Sequence, residues 1–175
     1  RATMQAIDDA FMERLYCLGI RNADEYKAVH LVKDGGQQLQ DTYAAVNPMK
    51  EVPTLLIDGL TLKQSVPIIE YLDETRPGSG PALVPRGADA EAAAKRQKVR
   101  QLAELVSSGI QSVQNLRVLK YVMSMFDDAA TKQEKKMTWG RHWIAKGFEA
   151  LERELAQCSG KYCVGDAVSL ADICL

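Results

Sequence analysis

Val52-Pro53-Thr54-Leu55-Leu56-Ile57-Asp58-Gly59-Leu60-Thr61-Leu62-Lys63-Gln64-Ser65 decides how this chain folds. Two short apolar runs flank Asp58-Gly59, a dipeptide suited to the two-residue turn of a β-hairpin. Val66-Pro67-Ile68-Ile69-Glu70-Tyr71-Leu72 follows with helical spacing of its apolar residues. Ser65 stands where an N-cap is expected, and Pro67 falls in the first turn, where its missing N–H does no harm. A hairpin thus hands a polar pair, Gln64-Ser65, to a helix N-terminus. The free N–H groups and dipole of that terminus favour a carboxylate. Taken alone, the stretch reads as no more than a capped helix after a hairpin.

Outward from this core, Tyr26 to Val32 reads as a strand that stops at the Asp34-Gly35-Gly36 turn, and residues 38–46 as a weak helix before Asn47-Pro48. Upstream, Met4, Ile7, Phe11, Leu15 and Leu18 recur every three or four residues and predict a helix over 4–18. The helix after the hairpin, 66–75, must stop near Pro77. The Pro- and Gly-rich run from Arg76 to Gly87 is the one convincing linker. Beyond it every segment is helical. Val99, Leu102, Val106, Ile110, Val113, Leu116, Leu119 and Met123 trace one face of a helix from about 89 to 125. Met137, Ile144, Phe148, Leu151 and Leu155 trace another from about 129 to 157, closed by Gly160. Ser169-Leu170-Ala171-Asp172 resembles a capping box and is read as the structural start of a core helix. Two domains are expected, 1–76 mixed α/β and 88–175 all-helical, the second ending inside a helical pattern as though cut short.

Asn47-Pro48-Met49-Lys50-Glu51-Val52-Pro53, then Gln64-Ser65 and Ile68-Ile69-Glu70-Tyr71-Leu72, resemble the glutathione-binding half of a glutathione transferase. Lys33-Asp34-Gly35-Gly36-Gln37-Gln38, Gly109 to Leu116, and Tyr162-Cys163-Val164-Gly165-Asp166 narrow the resemblance to the zeta class, that of maleylacetoacetate isomerase. The likeness runs from about Glu25 to the last residue. It implies a thioredoxin-like N-terminal domain and a helical C-terminal domain. It also implies a cis Pro53 whose preceding residue, Val52, pairs through its backbone with glutathione. Ser65 and the helix N-terminus would hold the γ-glutamyl carboxylate, Gln64 the rest of that group, and Gln38 the glycine end. Gln111 and Asn115, four apart and so expected on one helical face, match positions lining the active-site cleft. Arg117 is either an exposed helix arginine or a partner for a substrate carboxylate. The implied activity is glutathione-dependent cis–trans isomerisation of a small diacid, maleylacetoacetate, by a homodimer or a subunit of a larger assembly.

Before Glu25 the likeness fades. The family's strand and serine-rich loop at the start of its first helix are not recognisable, and no serine precedes Ser65. The loop would fall at Gln5 to Asp8, which offers no hydroxyl or thiol, and Asp8-Asp9 would oppose a thiolate. Cys17, between Leu15 and Leu18, reads as a buried core cysteine. The fold expected is therefore a glutathione transferase fold lacking its first strand, with Arg1-Ala2-Thr3 as a remnant or another element covering the gap. The catalytic residue is left unassigned. The alternative function is an inactive subunit that uses the fold for assembly.

Composition bounds the rest. A 175-residue chain, 46% hydrophobic and 26% charged, has ample material for a core. A net charge of −1 gives no bulk attraction to nucleic acid or membrane, and no apolar run approaches a membrane span. The clusters Lys95 to Arg100 and Lys132 to Lys136 read as solvated helix faces. Cys17, Cys158, Cys163 and Cys174 lack C-x-x-C spacing, and His30 and His142 are far apart, so no metal site is expected. Reduced thiols fit a cytoplasmic or mitochondrial setting.

Overall fold

The computed structural model describes residues 3–5, 25–78 and 80–175, the first of these and 25–27 as backbone alone. The chain forms two compact units, Arg1–Ala82 and Leu83–Leu175.

The first unit is built on a four-stranded sheet: β1 (Thr3–Gln5), β2 (Glu25–Lys27), β3 (Thr54–Ile57) and β4 (Leu60–Lys63), in the order β2-β1-β3-β4. β1 runs parallel to β2 and antiparallel to β3, with Thr3 opposite Leu56 and Gln5 opposite Thr54. The expected loss of the first strand is thus corrected: a three-residue strand occupies the centre of the sheet. Its length is too short to show alternation, and Met4 had lent itself to a helical spacing. The rest of the helix expected over 4–18, with Cys17, and the loop expected at Gln5 to Asp8 lie outside the described residues beyond Gln5. β2 is also shorter than expected, ending at Lys27.

The hairpin forms as its sequence predicts. Asp58 and Gly59 both have positive φ, 54° and 75°, the signature of a primed turn that matches strand twist. Tyr71 Oη donates to Asp58 Oδ2 at 2.7 Å, and Arg76 Nη2 reaches both carboxylate oxygens at 3.1 and 2.9 Å. Those bonds tie the turn to the far end of helix α2 (Ser65–Thr75) and hold the Asp58 carboxyl below its usual range. A short helix α1 (Asp41–Ala44) follows a 3₁₀ turn at Gln37–Leu39. Tyr43, Leu55, Ile57, Ile68, Ile69 and Leu72 are buried and form the core.

The second unit holds α3 (Ala90–Glu104), α4 (Leu116–Ser124), α5 (Ala129–Cys158) and α6 (Leu170–Cys174). Asp89 and Asp128 cap α3 and α5 by accepting from Ala92 N and Thr131 N, both at 2.8 Å. Val99, Leu102, Ala103, Val106, Ile110, Leu151, Leu170 and Ile173 are buried. α6 packs on α3, and Leu170 N donates to Leu83 O at 2.9 Å, joining both ends of the unit. Lys98 Nζ meets Glu154 Oε2 at 2.8 Å, pinning α3 to α5.

One helix expected from 89 to 125 is instead three segments. α3 passes into a π-helical stretch, Leu105–Gln111, then a 3₁₀ turn, Ser112–Gln114; Asn115 is extended (φ −56°, ψ 149°) before α4 starts. The cause is local. Ser108 Oγ donates to Glu104 Oε2 and Ser112 Oγ to Ser108 O, so hydroxyls compete with the helical ladder around Gly109. Asn115 Oδ1 then caps the new helix by accepting from Arg117 N at 3.2 Å.

The segment between α5 and α6 is held from inside. Asp172 Oδ2 accepts from Ser169 N (2.8 Å) and Ser169 Oγ (2.7 Å), and its Oδ1 accepts from Cys163 N at 2.8 Å. Burial opposes the charge on Asp172, yet these donors together hold its carboxyl below the usual range. Burial and the same carboxylate push the Cys163 thiol up to about 12. Among the described residues, no helix is long and apolar enough to cross a membrane.

Candidate glutathione site

The hairpin register gathers the expected residues of the first unit at one end of the sheet. Thr54 lies opposite Lys63, so Val52-Pro53, which enter β3, and Gln64-Ser65, which leave β4, share the end remote from the Asp58-Gly59 tip. Gln5, the last residue of β1, is opposite Thr54 at that same end. The Val52–Pro53 peptide bond is cis.

A polar network missed in the sequence fixes this corner. Tyr43 Oη donates to Glu51 O at 2.7 Å and lies 3.0 Å from Thr54 Oγ1. Asn47 Nδ2 donates to Glu51 O at 2.7 Å and to Thr54 Oγ1 at 3.3 Å, while Asn47 Oδ1 accepts from Met49 N at 3.1 Å. Tyr43, Asn47 and Thr54 are all buried. Two donors on the carbonyl just before Val52 and one anchor just after Pro53 set the backbone between them. The available signal was Asn47-Pro48, a turn dipeptide whose asparagine can bond its own backbone two residues on.

At α2 the structure revises one assignment. Gln64, not Ser65, is the N-cap residue, with φ 70° and ψ 130°, and Ser65 is the first helical residue. The helical ladder opens with Ile68 N donating to Gln64 O at 3.1 Å, so the N–H groups of Ser65 and Val66 lie ahead of it and Pro67 has none. Ser65 is half-buried and Gln64 exposed. The anion preference of a helix start is kept, with Ser65 one position further in.

Gln38 carries an unmet demand. It is 6% exposed, its Nε2 donates to Leu31 O at 3.3 Å, and its Oε1 has no hydrogen-bond partner among the described residues. Gly36 (φ 102°) leaves no room for a side chain, since a Cβ there would stand 3.0 Å from Gln38 Nε2 and from Leu31 O. An unpaired buried amide oxygen costs about 1–3 kcal/mol. A donor supplied from outside would recover it.

In the second unit the helix break separates what an unbroken helix would align. Gln111 ends the π-helical stretch and its Nε2 donates to Cys174 O at 3.3 Å. Asn115 caps α4, and the exposed Arg117 sits in its first turn. Gln111 and Asn115 therefore do not share a helical face.

A family model described as "Glutathione S-transferase, N-terminal domain" matches residues 12–80. A bacterial maleyl pyruvate isomerase solved in its holo form, a zeta-class glutathione S-transferase, superposes with a TM-score of 0.80 at 36% identity, over 98% of this chain and 77% of that one. This chain belongs to the zeta-class glutathione transferases. The rat maleylacetoacetate isomerase is 46% identical to it over 159 residues, 90% of this chain. The chain spans 66% of that relative's length. A maleylacetoacetate isomerase from Methylobacterium extorquens AM1, solved with malonate and GSH bound, matches at 30% identity and a TM-score of 0.80, covering 98% of this chain and 78% of that one. The glutathione transferase fold is thus established for the chain, a thioredoxin-like unit with a small sheet followed by a helical unit.

Proposed function

We infer that the chain binds glutathione and acts as a glutathione-dependent isomerase of a small unsaturated diacid, of the maleylacetoacetate kind. The observation that carries this reading is the Thr54–Lys63 register, which sets Val52-Pro53 and the first turn of α2 at one end of the sheet. The residues there fit the tripeptide chemically. The Ser65 and Val66 N–H groups and the Ser65 hydroxyl suit a carboxylate, the backbone of Val52 suits an extended peptide, and Gln38 Oε1 suits an amide donor. Gln64, held at positive φ beside the helix start, would meet the rest of the γ-glutamyl group.

When bound, glutathione supplies the sulfur nucleophile for reversible addition to the substrate's double bond. The chain's own part is to fix both reactants. In the first unit α2 and Gln38 would orient the tripeptide; in the second unit Asn115 and Arg117 are taken as candidate substrate contacts, Arg117 as partner for a carboxylate. That the Methylobacterium enzyme was solved with both malonate and GSH bound supports a diacid as the second ligand. We take the active species to be a homodimer or a subunit of a larger assembly, in the cytoplasm or mitochondrion.

One observation favours a second reading: no serine precedes Ser65 in this sequence, whereas the family resemblance implies a serine hydroxyl beside the thiolate. On that reading the chain is an inactive subunit that uses the fold for assembly. Isothermal titration with glutathione separates the readings from a chain with no glutathione site. Heat of binding at millimolar ligand, weakened about 5- to 150-fold by Ser65→Ala, is expected if the hydroxyl contacts a carboxylate; no heat rejects the glutathione site. With binding established, turnover of maleylacetone decides between isomerase and inactive subunit.

A further inference from the structure

Helix breaks release carbonyls, and the break between α3 and α4 releases them next to two of the residues proposed above to meet substrate. Seven π-helical residues are followed by a 3₁₀ turn and by Asn115 in an extended conformation, so the i→i+4 ladder stops serving the carbonyls before Asn115. A short π-helical insertion often accompanies a functional site because it turns side chains out of register. Here the turn is stapled from another helix. Trp139, half-buried on α5, donates its indole N–H to Val113 O at 2.6 Å. Its ring leans on Trp143 with centroids 5.9 Å apart, and Trp143 in turn carries the His142 edge at 5.1 Å and the Lys146 ammonium at 5.4 Å. Two turns along α5, Gly147 provides the notch that accepts Ile110 from the π-helical stretch. Val113 lies two residues before Asn115 and four before Arg117.

We propose that Trp139 is a positioning residue: its indole N–H, bonded to the Val113 carbonyl, fixes the backbone that presents Asn115 and Arg117 to the diacid substrate. The proposal rests on the isomerase reading above. Tryptophan suits the task because it has one donor and no acceptor, on a rigid ring held by packing. A carbonyl at a helix break that lost this donor would have to find water or pull the 3₁₀ turn into a different conformation, moving the cap of α4 with it.

The test compares the full chain with Trp139→Phe, which keeps an aromatic ring and loses the N–H. If the phenylalanine variant fails to fold, β-(3-benzothienyl)alanine at position 139, with sulfur in place of the N–H, keeps the bicyclic shape. Amide hydrogen exchange should quicken several-fold over residues 111–119 and stay unchanged over 99–103 and 170–174. The KM for maleylacetone should rise about three- to tenfold, the worth of one hydrogen bond, with kcat and the glutathione dissociation constant unchanged. Adding Arg117→Ala should cost no more than Arg117→Ala alone. Exchange that quickens equally across the whole unit, or not at all, would overturn the proposal, as would a local quickening with KM unchanged. No glutathione heat in the unsubstituted chain would overturn the isomerase reading instead, leaving the exchange result to judge the Trp139–Val113 bond by itself.

Discussion

Ile110 sits in a notch that only Gly147 leaves open: a Cβ built on Gly147 would overlap Ile110 Cγ1 and stand 2.7 Å from its Cδ1. Gly147 is in the interior of the 30-residue helix α5, where glycine costs about 1 kcal/mol relative to alanine. The two effects oppose each other, and overpacking in a buried contact costs about 1–3 kcal/mol. Gly147→Ala should therefore destabilise the chain by up to about 2 kcal/mol rather than stabilise it, as measured by the urea midpoint. A second substitution, Ile110→Val, should recover part of the loss.

Gln38 gives a prediction in which stability and binding part company. Gln38→Met removes a 3.3 Å bond and an unpaired buried oxygen together, in a side chain of similar reach. Thermal unfolding should then shift by no more than about 1 kcal/mol in either direction. Glutathione affinity should fall by about 1–3 kcal/mol, since the tripeptide loses its acceptor. A variant that loses stability but binds glutathione normally would place the oxygen's partner elsewhere.

The corner before Val52 should respond unequally to its two donors. Asn47 is 2% exposed and makes three hydrogen bonds, so Asn47→Ala should cost about 2–4 kcal/mol, with Glu51 O and Thr54 Oγ1 both losing a donor. Tyr43→Phe removes only the hydroxyl, and Asn47 still serves Glu51 O. Its cost should be about 1 kcal/mol. Denaturant titration of the two variants would check the order.

Asp172 makes stability depend on acid. Its folded pKa is depressed, so its contribution is fully present above its unfolded value, near 4, and is lost as pH falls through the folded value. Unfolding free energy should thus drop below about pH 4, and Asp172→Asn should flatten that drop while lowering stability at pH 7 by about 1–3 kcal/mol. Urea midpoints of both proteins from pH 7 to pH 3 would show whether the slopes differ.

Much of this architecture was legible in the residues. Asp58-Gly59 announced the hairpin because few other pairs tolerate two positive φ values, and the spacing from Met137 to Leu155 announced helix α5, although of that row Leu151 alone is buried while Met137 and Phe148 are exposed. The break after Glu104 was hidden because Val99, Leu102, Val106, Ile110 and Val113 sustain a helical spacing straight through it. A π-helical stretch shifts the phase by a fraction of a turn, which periodicity cannot resolve, while Ser108, Gly109, Ser112 and Asn115 carried the contrary local signal. Ser65 looked like the cap because serine prefers that position; the positive φ of Gln64, set by the approach from β4, moved the boundary by one residue. β1 was illegible since three residues show no pattern, and its pairing is a property of distant partners. The polar corner of Tyr43, Asn47 and Thr54 escaped notice for the same reason, being built from separated segments.

The central place of β1 also bears on the order of assembly. β3, β4 and α2 are contiguous, and their mutual contacts close over short loops. Pairing of Thr3–Gln5 with β3 joins segments roughly fifty residues apart in the chain, and such closures come slowly. Contact order therefore predicts that residues 54–75 pair before β1 joins the sheet, an order that pulse-labelled hydrogen exchange during refolding would check.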